Sequence, residues 1–385
     1  MPRKKSLDLV LAIDFGSSST KAIYKLANGE LASLVMEPEV VRLPVESLKA
    51  YEDSKLSSST PENEAWVGFG DTYYVVGYLA DSEFPGSARL RDVKSRVAVA
   101  KTGALIWAIK QKHQLDSKTL RVALTTVLPI GEYADRDKFE TQLRELSGGF
   151  ETPTGEMKVE MLDFDCKPEG AGVYSYYRNS ASDEIIYRET LVCLMLGYRN
   201  VTALISDRGR VSSKPIMSDL GMRVMLERVH SNTSGLDSKR LLAAIISAGD
   251  EVESGSFWKV CKSKVTSERS DEAEVIAAAV SQARSEYMAL LTNWIREILP
   301  EKLDRVIIAG GTGEYLRTYF ESSFVSTPLV FHGNVEIPAA LDTWGYGYRL
   351  ADVFGLFSIY LDQVLRQFDK SEVETESQDL AEVSN

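Results

Sequence analysis

The chain has 385 residues, more than twice the commonest length of a single domain, so we expect two domains or one large two-lobed enzyme. Hydrophobic residues make up 44% and charged residues 26%, which is ordinary for a globular protein and argues against general disorder. The formal net charge of −12 repels phosphate backbones and anionic membranes at long range. We therefore expect no direct binding to nucleic acid.

The cysteines and the distribution of apolar residues indicate the cellular compartment of the protein. The three cysteines lie far apart in the sequence and form no paired motif, which argues against a disulfide framework and against a zinc site. The N-terminus reaches two aspartates before any long apolar run, unlike a signal peptide. The apolar segment 340–365 is interrupted by charged residues, so it predicts a packed helix and not a transmembrane segment. We expect a cytoplasmic protein.

The N-terminal third of the chain is predicted to form a sheet. Residues 9–14 and 20–26 are typical of strands on either side of a short loop, and residues 64–80 are typical of a hairpin. The polar, serine-rich stretch 46–64 predicts a surface loop. Apolar residues at helical spacing in 96–113, followed by a buried strand, begin an alternation of helices and strands.

The alternation continues in the second half of the chain. Residues 200–217 predict an apolar strand, an Asp-x-Gly turn and a further extended segment. Residues 271–299 are rich in helix formers and end before a proline, and an apolar strand leading into a glycine turn follows. Residues 370–385 are acidic and lack aromatic side chains, so we expect a disordered tail there.

The stretch IDFGSSSTK, residues 13–21, carries the strongest chemical signal in the sequence. Gly16 lets the backbone approach an anion, the hydroxyl groups and exposed N–H groups can bind phosphate oxygens, and Lys21 adds a positive charge. The Asp14 carboxylate would repel bare phosphate, so its presence implies Mg²⁺, held largely through water. The alternative is an ordinary Gly-Ser turn between two strands. The candidate phosphate-binding residues are Gly16, Ser17, Ser18, Ser19, Thr20 and Lys21.

A second Asp-x-Gly sequence, Asp207-Arg208-Gly209, follows the strand in the middle of the chain. Two such loops would be able to close on one phosphate chain from opposite sides, which makes the pair more informative than either alone. The alternative is a chance repeat of a short motif.

The stretch VIIAGGTGEYL, residues 306–316, places glycines between a buried strand and a helix. Such a turn allows close approach of the backbone and offers helix N-terminal amides to an α-phosphate and a nucleoside. The Rossmann and P-loop glycine patterns are both absent from the sequence. A generic strand-to-helix turn is the alternative. The residues concerned are Gly310, Gly311, Thr312 and Gly313.

Pro168-Glu169-Gly170 lies between the two Asp-x-Gly sequences, just before a segment that is predicted to be helical. A carboxylate at this position would be able to orient an attacking water. Alternatively, Glu169 is a first-turn acidic residue that stabilises the N-terminus of a helix.

These motifs, in this order and over nearly the whole chain, resemble the superfamily of actin, sugar kinases and heat-shock chaperone ATPases. TTVLPIGEYADRDKF (125–139) is similar to the Leu-Pro-x-x-Glu-Tyr-x-Asp segment of ParM-like plasmid-segregation actins, and IDFGSSSTK is similar to their first phosphate loop. The resemblance implies an actin-like α/β fold of two lobes, each with an RNase H-like mixed sheet flanked by helices, and a nucleotide cleft between them. Lobe I would comprise 1–168 and 339–369, and lobe II 169–338.

The resemblance also implies roles for individual residues. Asp14 and Asp207 would be the Mg²⁺-side carboxylates, and Glu169 would position the attacking water; these three form the implied catalytic set. Residues 16–21 and Gly209 would bind phosphate, and residues 310–313 would face the nucleoside. One departure from the family pattern is that Arg208 and Arg210 flank Gly209.

The implied function is an ATPase that uses ATP and Mg²⁺ and polymerises into dynamic cytoskeletal filaments. Such filaments segregate plasmid DNA through an adaptor protein or organise cell shape, and the adaptor would link the filament to DNA or to a membrane. The alternative is a small-molecule, sugar-type kinase of the same superfamily, although no typical sugar-kinase signature lies beside Glu169.

Overall fold

The first two strands lie where the sequence predicted them, with β1 at Leu9–Asp14 and β2 at Thr20–Leu26. Every residue of β1 is buried, and its first five residues are apolar, as expected for a central strand that is covered on both faces. The fold is taken from a computed structural model that describes residues 7–84, 94–212, 214 and 216–382, with the backbone alone for 94–96 and 368–382.

The chain divides into two units by its internal contacts. Unit 1 comprises Met1–Asn179 and Val335–Asn385, and unit 2 comprises Ser180–Asn334. The first boundary follows the helix after residue 168 instead of preceding it, because that helix packs with unit 1.

Unit 1 begins with a sheet-forming region and then alternates helices with strands. After β1 and β2, its elements are β3 (Leu31–Met36), β4 (Val40–Leu43), α1 (Val45–Ser54), β5 (Trp66–Phe69), β6 (Thr72–Val76), α2 (Tyr78–Ser82), α3 (Lys94–Lys112), β7 (Thr119–Leu128), α4 (Arg136–Arg144), β8 (Phe150–Thr152), β9 (Gly155–Pro168) and α5 (Ala171–Ser180).

The strands of unit 1 pair in the order β3-β2-β1-β7-β9-β8-β5-β6-β4. Strands β1, β7 and β9 are parallel to one another, whereas the other pairings are antiparallel. The carboxyl ends of β1, β7 and β9 therefore lie at one edge of a mixed sheet, which we call the carboxyl edge of unit 1. At such an edge, residues that are far apart in sequence come together.

Unit 2 has a smaller mixed sheet. Its elements are α6 (Asp183–Arg188), β10 (Thr190–Leu196), β11 (Val201–Asp207), β12 (Arg210–Val211), β13 (Ile216–Ser218), α7 (Met222–Asn232), α8 (Ser238–Ala248), α9 (Thr266–Ile298), β14 (Arg305–Ala309), α10 (Gly311–Tyr315), α11 (Arg317–Ser323) and β15 (Leu329–Phe331). The strand order is β12-β11-β10-β14-β15, with β13 also paired to β11. Strand β10 is parallel to β14 and antiparallel to β11, and apolar residues of α7, α8 and α9 pack on this sheet.

The last helix, α12 (Ala351–Glu382), returns to unit 1. The two faces of β1 are covered by different helices: Leu9, Leu11 and Ile13 pack with apolar residues of α3, whereas Val10 and Ala12 pack with those of α12. This alternation follows from the two-residue period of a strand. None of the described helices has the length and hydropathy needed to cross a membrane.

Two sequence predictions about irregular structure were wrong. Residues 46–64 contain α1 and a short 3₁₀ helix at Pro61–Asn63 instead of a continuous loop. The backbone of residues 370–382 continues α12 instead of being disordered, because this stretch has no glycine or proline and extends a helix that is already formed. Residues 383–385 of the predicted tail lie outside the described residues.

Candidate functional site

The end of β1 carries a buried ion pair. Asp14 is the last residue of β1, and the antiparallel register places Lys21 of β2 directly opposite it. The ammonium group of Lys21 donates a hydrogen bond to the Asp14 carboxylate, and the two residues are only 6% and 5% exposed. The predicted acidic and basic residues of the first loop are therefore in direct contact at the carboxyl edge of unit 1.

The loop between these two residues depends on Gly16. A Cβ atom there would lie 2.7 Å from the backbone oxygen of Ser19 and 3.5 Å from Nζ of Lys21. A side chain would therefore force the turn open. Glycine keeps the backbone of the loop close to the Asp14–Lys21 pair.

The hydroxyl groups of the loop have two kinds of environment. Ser17 and Ser18 are exposed, whereas Ser19 and Thr20 are buried. Arg349, which the sequence analysis did not identify, donates from Nη2 to Oγ of Ser18 and of Ser19 at 3.1 and 3.3 Å. The Thr20 hydroxyl is buried and has no hydrogen-bond partner among the described residues. The loop thus has a second cation beside it and one unused buried hydroxyl.

Glu169 lies at the same edge of the sheet. The register pairs Asp14 with Val127 of β7 and Pro168 of β9 with Leu128, so the turn after β9 starts two strands away from Asp14. Two strand spacings correspond to about 10 Å. The N–H group of Glu169 donates to the Leu128 carbonyl at 2.8 Å, and the residue is half-buried.

Asp352, in the first turn of α12, is a site residue that the sequence analysis missed. Its carboxylate accepts hydrogen bonds from the N–H groups of Gly170 at 2.8 Å and Val173 at 3.1 Å. Burial raises its pKa from 3.8 to about 6; the negative charge of Asp14 acts in the same direction, and the two N–H groups and Lys21 oppose it. The sequence shows only an aspartate before the apolar first half of α12, which does not indicate a contact with another helix.

Lys101 of α3 is a further buried charge in unit 1. It is 5% exposed, and burial lowers its pKa from 10.5 to about 8, against the opposing effects of Glu39 and Asp14. No hydrogen bond or ion pair joins its ammonium group to another residue in the part of the chain that the structure describes. Asp14 therefore acts electrostatically on a second buried lysine besides Lys21.

The glycine turn of unit 2 is closely packed. Gly310 has a φ of +89°, and a Cβ atom there would lie 2.2 Å from the backbone oxygen of Leu196, so only glycine fits. Gly311 opens α10, and the Thr312 hydroxyl donates to the Gly197 carbonyl at 2.9 Å. A Cβ atom on Gly313 would be 2.9 Å from the side chain of Ile308. The turn is thus held against the end of β10.

Asp207 and Gly209 do not lie near this glycine turn. Asp207 pairs with Thr190, the first residue of β10, whereas Gly310 packs against Leu196, the last. Six residue steps of about 3.3 Å separate the two ends of β10, or roughly 20 Å. Arg208 and Gly209 have φ of +50° and +79°, as in the type I′ turn of a hairpin. The structure therefore does not support the prediction that Asp207 and Gly209 share a site with residues 310–313.

The topological counterpart of the first loop is the turn between β10 and β11. Both units have a strand, a turn with an early glycine and an antiparallel partner strand. When Gly197 is aligned with Gly16, Met195 falls on Asp14 and Thr202 falls on Lys21. Unit 2 therefore has the turn without the ion pair. An Asp-x-Gly motif does not identify this turn, because it has no aspartate before its glycine. Only the strand-turn-strand pattern marks it in the sequence.

The donor set suits Mg²⁺ only together with a phosphate ligand. No cluster of three or more His, Cys, Asp or Glu residues able to hold a metal occurs among the described residues. Mg²⁺ is commonly held by one or two carboxylates together with waters and substrate phosphates. Asp14 provides one such carboxylate beside a loop with an unused buried hydroxyl, so the residues fit Mg²⁺ bound with a nucleotide.

The N-terminal part of unit 1 matches a family model in sequence, and nearly the whole chain matches solved structures in fold. Residues 12–172 match the family model for the N-terminal domain of actin-like proteins. No curated protein matches the chain in sequence.

Solved structures of actin-like proteins superpose on the chain at low sequence identity. The crystal structure of the actin-like protein Alp7A aligns with a TM-score of 0.66 and 15% identity, over 95% of this chain and 100% of that one. A 15-stranded ParM filament from Clostridium botulinum aligns with a TM-score of 0.60 and 12% identity, over 92% and 99%. The Alp12 filament aligns with a TM-score of 0.58 and 16% identity, over 93% and 100%.

The predicted fold class is therefore confirmed: both units are mixed sheets flanked by helices, as in actin-like proteins. Residues 12–172, which contain the end of β1, the first loop and Glu169, match the model of an actin-like protein N-terminal domain, and the chain has an actin-like fold.

Proposed function

We propose that this protein binds and hydrolyses Mg·ATP and that the nucleotide cycle controls its assembly into dynamic filaments. The observation that carries the proposal is the carboxyl edge of unit 1. There, Asp14 and Lys21 form an ion pair beside a glycine turn with an unpaired buried hydroxyl, and the turn that carries Glu169 starts two strands, or about 10 Å, away. This arrangement offers a carboxylate for the metal side of a nucleotide, cations for its phosphates and a second carboxylate within reach of an attacking water.

Each residue has a distinct role in this proposal. Asp14 holds the water shell of Mg²⁺, which, when bound, neutralises negative charge on the β- and γ-phosphates. Lys21 and the backbone N–H groups of the first loop contact phosphate oxygens, and Arg349 keeps the serine hydroxyls of the loop in place. Glu169 accepts a hydrogen bond from the attacking water and thereby orients it. We assign residues 310–313 of unit 2 to the nucleoside.

Filament formation is proposed from fold-level similarity. Two of the solved structures that superpose on this chain are filaments, one of ParM and one of Alp12, and nearly their full length is matched. The cargo is plasmid DNA bound through an adaptor, or a component of cell-shape organisation. The net charge of −12 favours an adaptor over direct contact with DNA.

Sedimentation with ATP, with ADP and without nucleotide tests the proposed assembly. We expect the protein to pellet with ATP and to return to the supernatant as phosphate is released. A sugar-type kinase of the same superfamily would stay in the supernatant under all three conditions, and that result would refute the filament proposal.

Glu169→Gln tests the chemical step in the same assay. The variant should bind Mg·ATP normally, release phosphate slower by about a hundredfold or more, and form filaments that persist. Glu145→Gln, an exposed glutamate of unit 1, is the matched control and should behave as the wild type. Wild-type turnover in Glu169→Gln would leave this glutamate with only a structural role at the turn before α5.

A further inference from the structure

Helix α5 begins without a capping side chain of its own. Gly170 precedes its first residue and has a φ of +86°, a conformation that favours glycine. Because glycine has no side chain, this position offers no side-chain oxygen to the N–H groups of the first turn. The Asp352 carboxylate supplies that function from another helix. It accepts from the N–H groups of Gly170 and of Val173, the two amides that a capping box normally satisfies.

The two helices cross with their backbones in contact. A Cβ atom on Gly172 of α5 would lie 1.9 Å from the backbone oxygen of Asp352, and one on Gly355 of α12 would lie 2.5 Å from the backbone oxygen of Gly172. The atoms nearest to both positions are backbone atoms, which cannot move aside as the end of a side chain can. The position of the Asp352 carboxylate is therefore fixed relative to the start of α5.

The turn that carries Glu169 is held at two consecutive amides. The N–H group of Glu169 donates to Leu128 of β7, and the next N–H group, that of Gly170, donates to Asp352. Strand β7 fixes one side of the turn and α12 fixes the other. If the second hydrogen bond were lost, the Glu169 backbone would remain attached to the sheet but would be free to rotate at Gly170.

A buried carboxylate at this position has an unfavourable desolvation free energy that an apolar side chain would not have. Asp352 is 2% exposed, and a charge removed from water destabilises a fold unless donors surround it. Two helix N-termini stabilise it, that of α5 through hydrogen bonds and that of α12 through its own first turn. An apolar side chain would pack here without that cost, but it would leave the Gly170 amide without an acceptor.

From this geometry we propose that Asp352 is a positioning residue, which holds the Glu169–Gly170 turn so that the Glu169 carboxylate stays at the carboxyl edge beside Asp14. The inference rests on the proposed function, because it assumes that Glu169 orients the attacking water. The inference gives Asp352, which is far from Glu169 in the sequence, an indirect role in ATP hydrolysis. It also makes the start of α12 a part of the hydrolytic site.

A double-mutant cycle on phosphate release by the full chain tests the inference. Asp352→Asn keeps the shape of the side chain but turns an NH₂ group towards one of the two amides. We expect kcat to fall by about tenfold while KM for Mg·ATP changes less than twofold. In the Glu169→Gln background, Asp352→Asn should cause no further loss in kcat, because the positioned group is already absent. Asp362→Asn, on the exposed face of α12, is the control.

The outcomes separate the two proposals. Wild-type turnover in Glu169→Gln would refute the role of Glu169, whatever Asp352→Asn does. A slow Glu169→Gln combined with normal turnover in Asp352→Asn would overturn the positioning role alone. So would losses that multiply in the double variant, since a purely structural effect acts independently of Glu169.

A measurement on the wild type remains decisive if Asp352→Asn fails to fold. Hydrogen exchange of the Gly170 and Val173 amides should be slow, comparable to that of amides within α5. Fast exchange at both amides in the folded protein would show that the Asp352 carboxylate does not hold this turn, and would overturn the inference.

Discussion

Lys21 and Asp14 face each other across two antiparallel strands, and their side chains form an ion pair that is almost fully buried. Removing one partner of such a pair leaves the other as an uncompensated buried charge, which typically destabilises a protein by about 3–5 kcal/mol. The loss of a charge at this site should therefore affect stability as well as the proposed nucleotide binding. Variants that test Asp14 must preserve its shape and hydrogen bonding.

Asp14→Asn should change the metal dependence of nucleotide binding. The variant keeps the side-chain volume but loses the charge that attracts Mg²⁺, so the affinity for Mg·ATP should fall by about tenfold or more, or at least 1.4 kcal/mol. Metal-free ATP should bind as well as or better than to the wild type, because Lys21 is no longer neutralised. Calorimetry with Mg²⁺ and with a chelator measures both values.

Asp71→Asn, at the exposed turn between β5 and β6, controls for the loss of one acidic residue. If Asp14→Asn and the wild type respond equally to removal of Mg²⁺, Asp14 does not lie on the metal side of the nucleotide.

Asp207→Ala should leave Mg·ATP affinity within about twofold of the wild-type value. Asp207 lies at the end of the unit 2 sheet opposite to Gly310, and its carboxylate accepts a hydrogen bond from the Thr190 hydroxyl at 3.1 Å. Loss of this partly exposed bond should lower the free energy of unfolding by about 1 kcal/mol or less. Calorimetry and thermal unfolding on one preparation test both statements. A large loss of affinity would restore Asp207 to the nucleotide site.

The parts of the site that could be predicted from sequence are local. Strands β1 and β2 are rich in apolar residues and joined by a short loop, and a hairpin necessarily brings Asp14 and Lys21 to the same end. The long helix predicted at 271–299 was found as α9, Thr266–Ile298, since strong helix formers and a following proline define it without tertiary contacts.

The parts that could not be predicted depend on tertiary pairing. Asp-x-Gly is equally suited to a phosphate loop and to a type I′ turn, and only the strand directions show which edge of the sheet Asp207 occupies. The contact of Asp352 with Gly170 joins residues 182 positions apart. No local pattern in α12 indicates that its first turn caps another helix.

Gly172→Ala should be among the most destabilising single-methyl changes in unit 1. The new Cβ atom would lie 1.9 Å from the Asp352 backbone oxygen and 2.8 Å from the Leu356 backbone nitrogen, so α5 and α12 would have to separate. We expect a loss of about 3 kcal/mol or more in the free energy of unfolding, measured with denaturant. Gly148→Ala, where nothing lies within 4 Å, should change it by less than about 0.5 kcal/mol. Equal effects in the two variants would contradict the close crossing.

Lys101→Met should stabilise the protein at pH 7. Burial lowers the Lys101 pKa from 10.5 to about 8, so the folded state binds this proton less tightly than the unfolded state does. The charged form therefore destabilises the fold by up to about 3 kcal/mol below pH 8, and this penalty disappears as the pH rises towards 10.5. The unfolding temperature of Lys101→Met should exceed that of the wild type at pH 7 and converge with it near pH 10.

Lys112→Met provides the control for Lys101, because it removes an exposed lysine of the same helix. It should not shift the unfolding temperature in this pH-dependent way. A difference between Lys101→Met and the wild type that stays constant from pH 7 to pH 10 would mean that packing, and not charge, is responsible.

Because of Asp352, the stability of the protein and its rate of phosphate release should change in opposite directions as the pH falls below 6. Its pKa is raised from 3.8 to about 6, mainly by burial, with Asp14 and Lys21 as the titratable groups that act on it. Since the folded pKa lies above the unfolded one, this group adds about 3 kcal/mol of stability as the pH falls from 6 to below 4. Protonation also turns one oxygen into a hydroxyl group, which is a much weaker acceptor, so one of the hydrogen bonds from Gly170 and Val173 weakens. The rate of phosphate release at saturating Mg·ATP should therefore fall below pH 6 in the wild type. This decrease in rate should be absent from Asp352→Asn and present in Asp362→Asn.

A flat wild-type profile from pH 5 to 7, or the same fall in Asp352→Asn, would show that protonation of Asp352 does not limit hydrolysis.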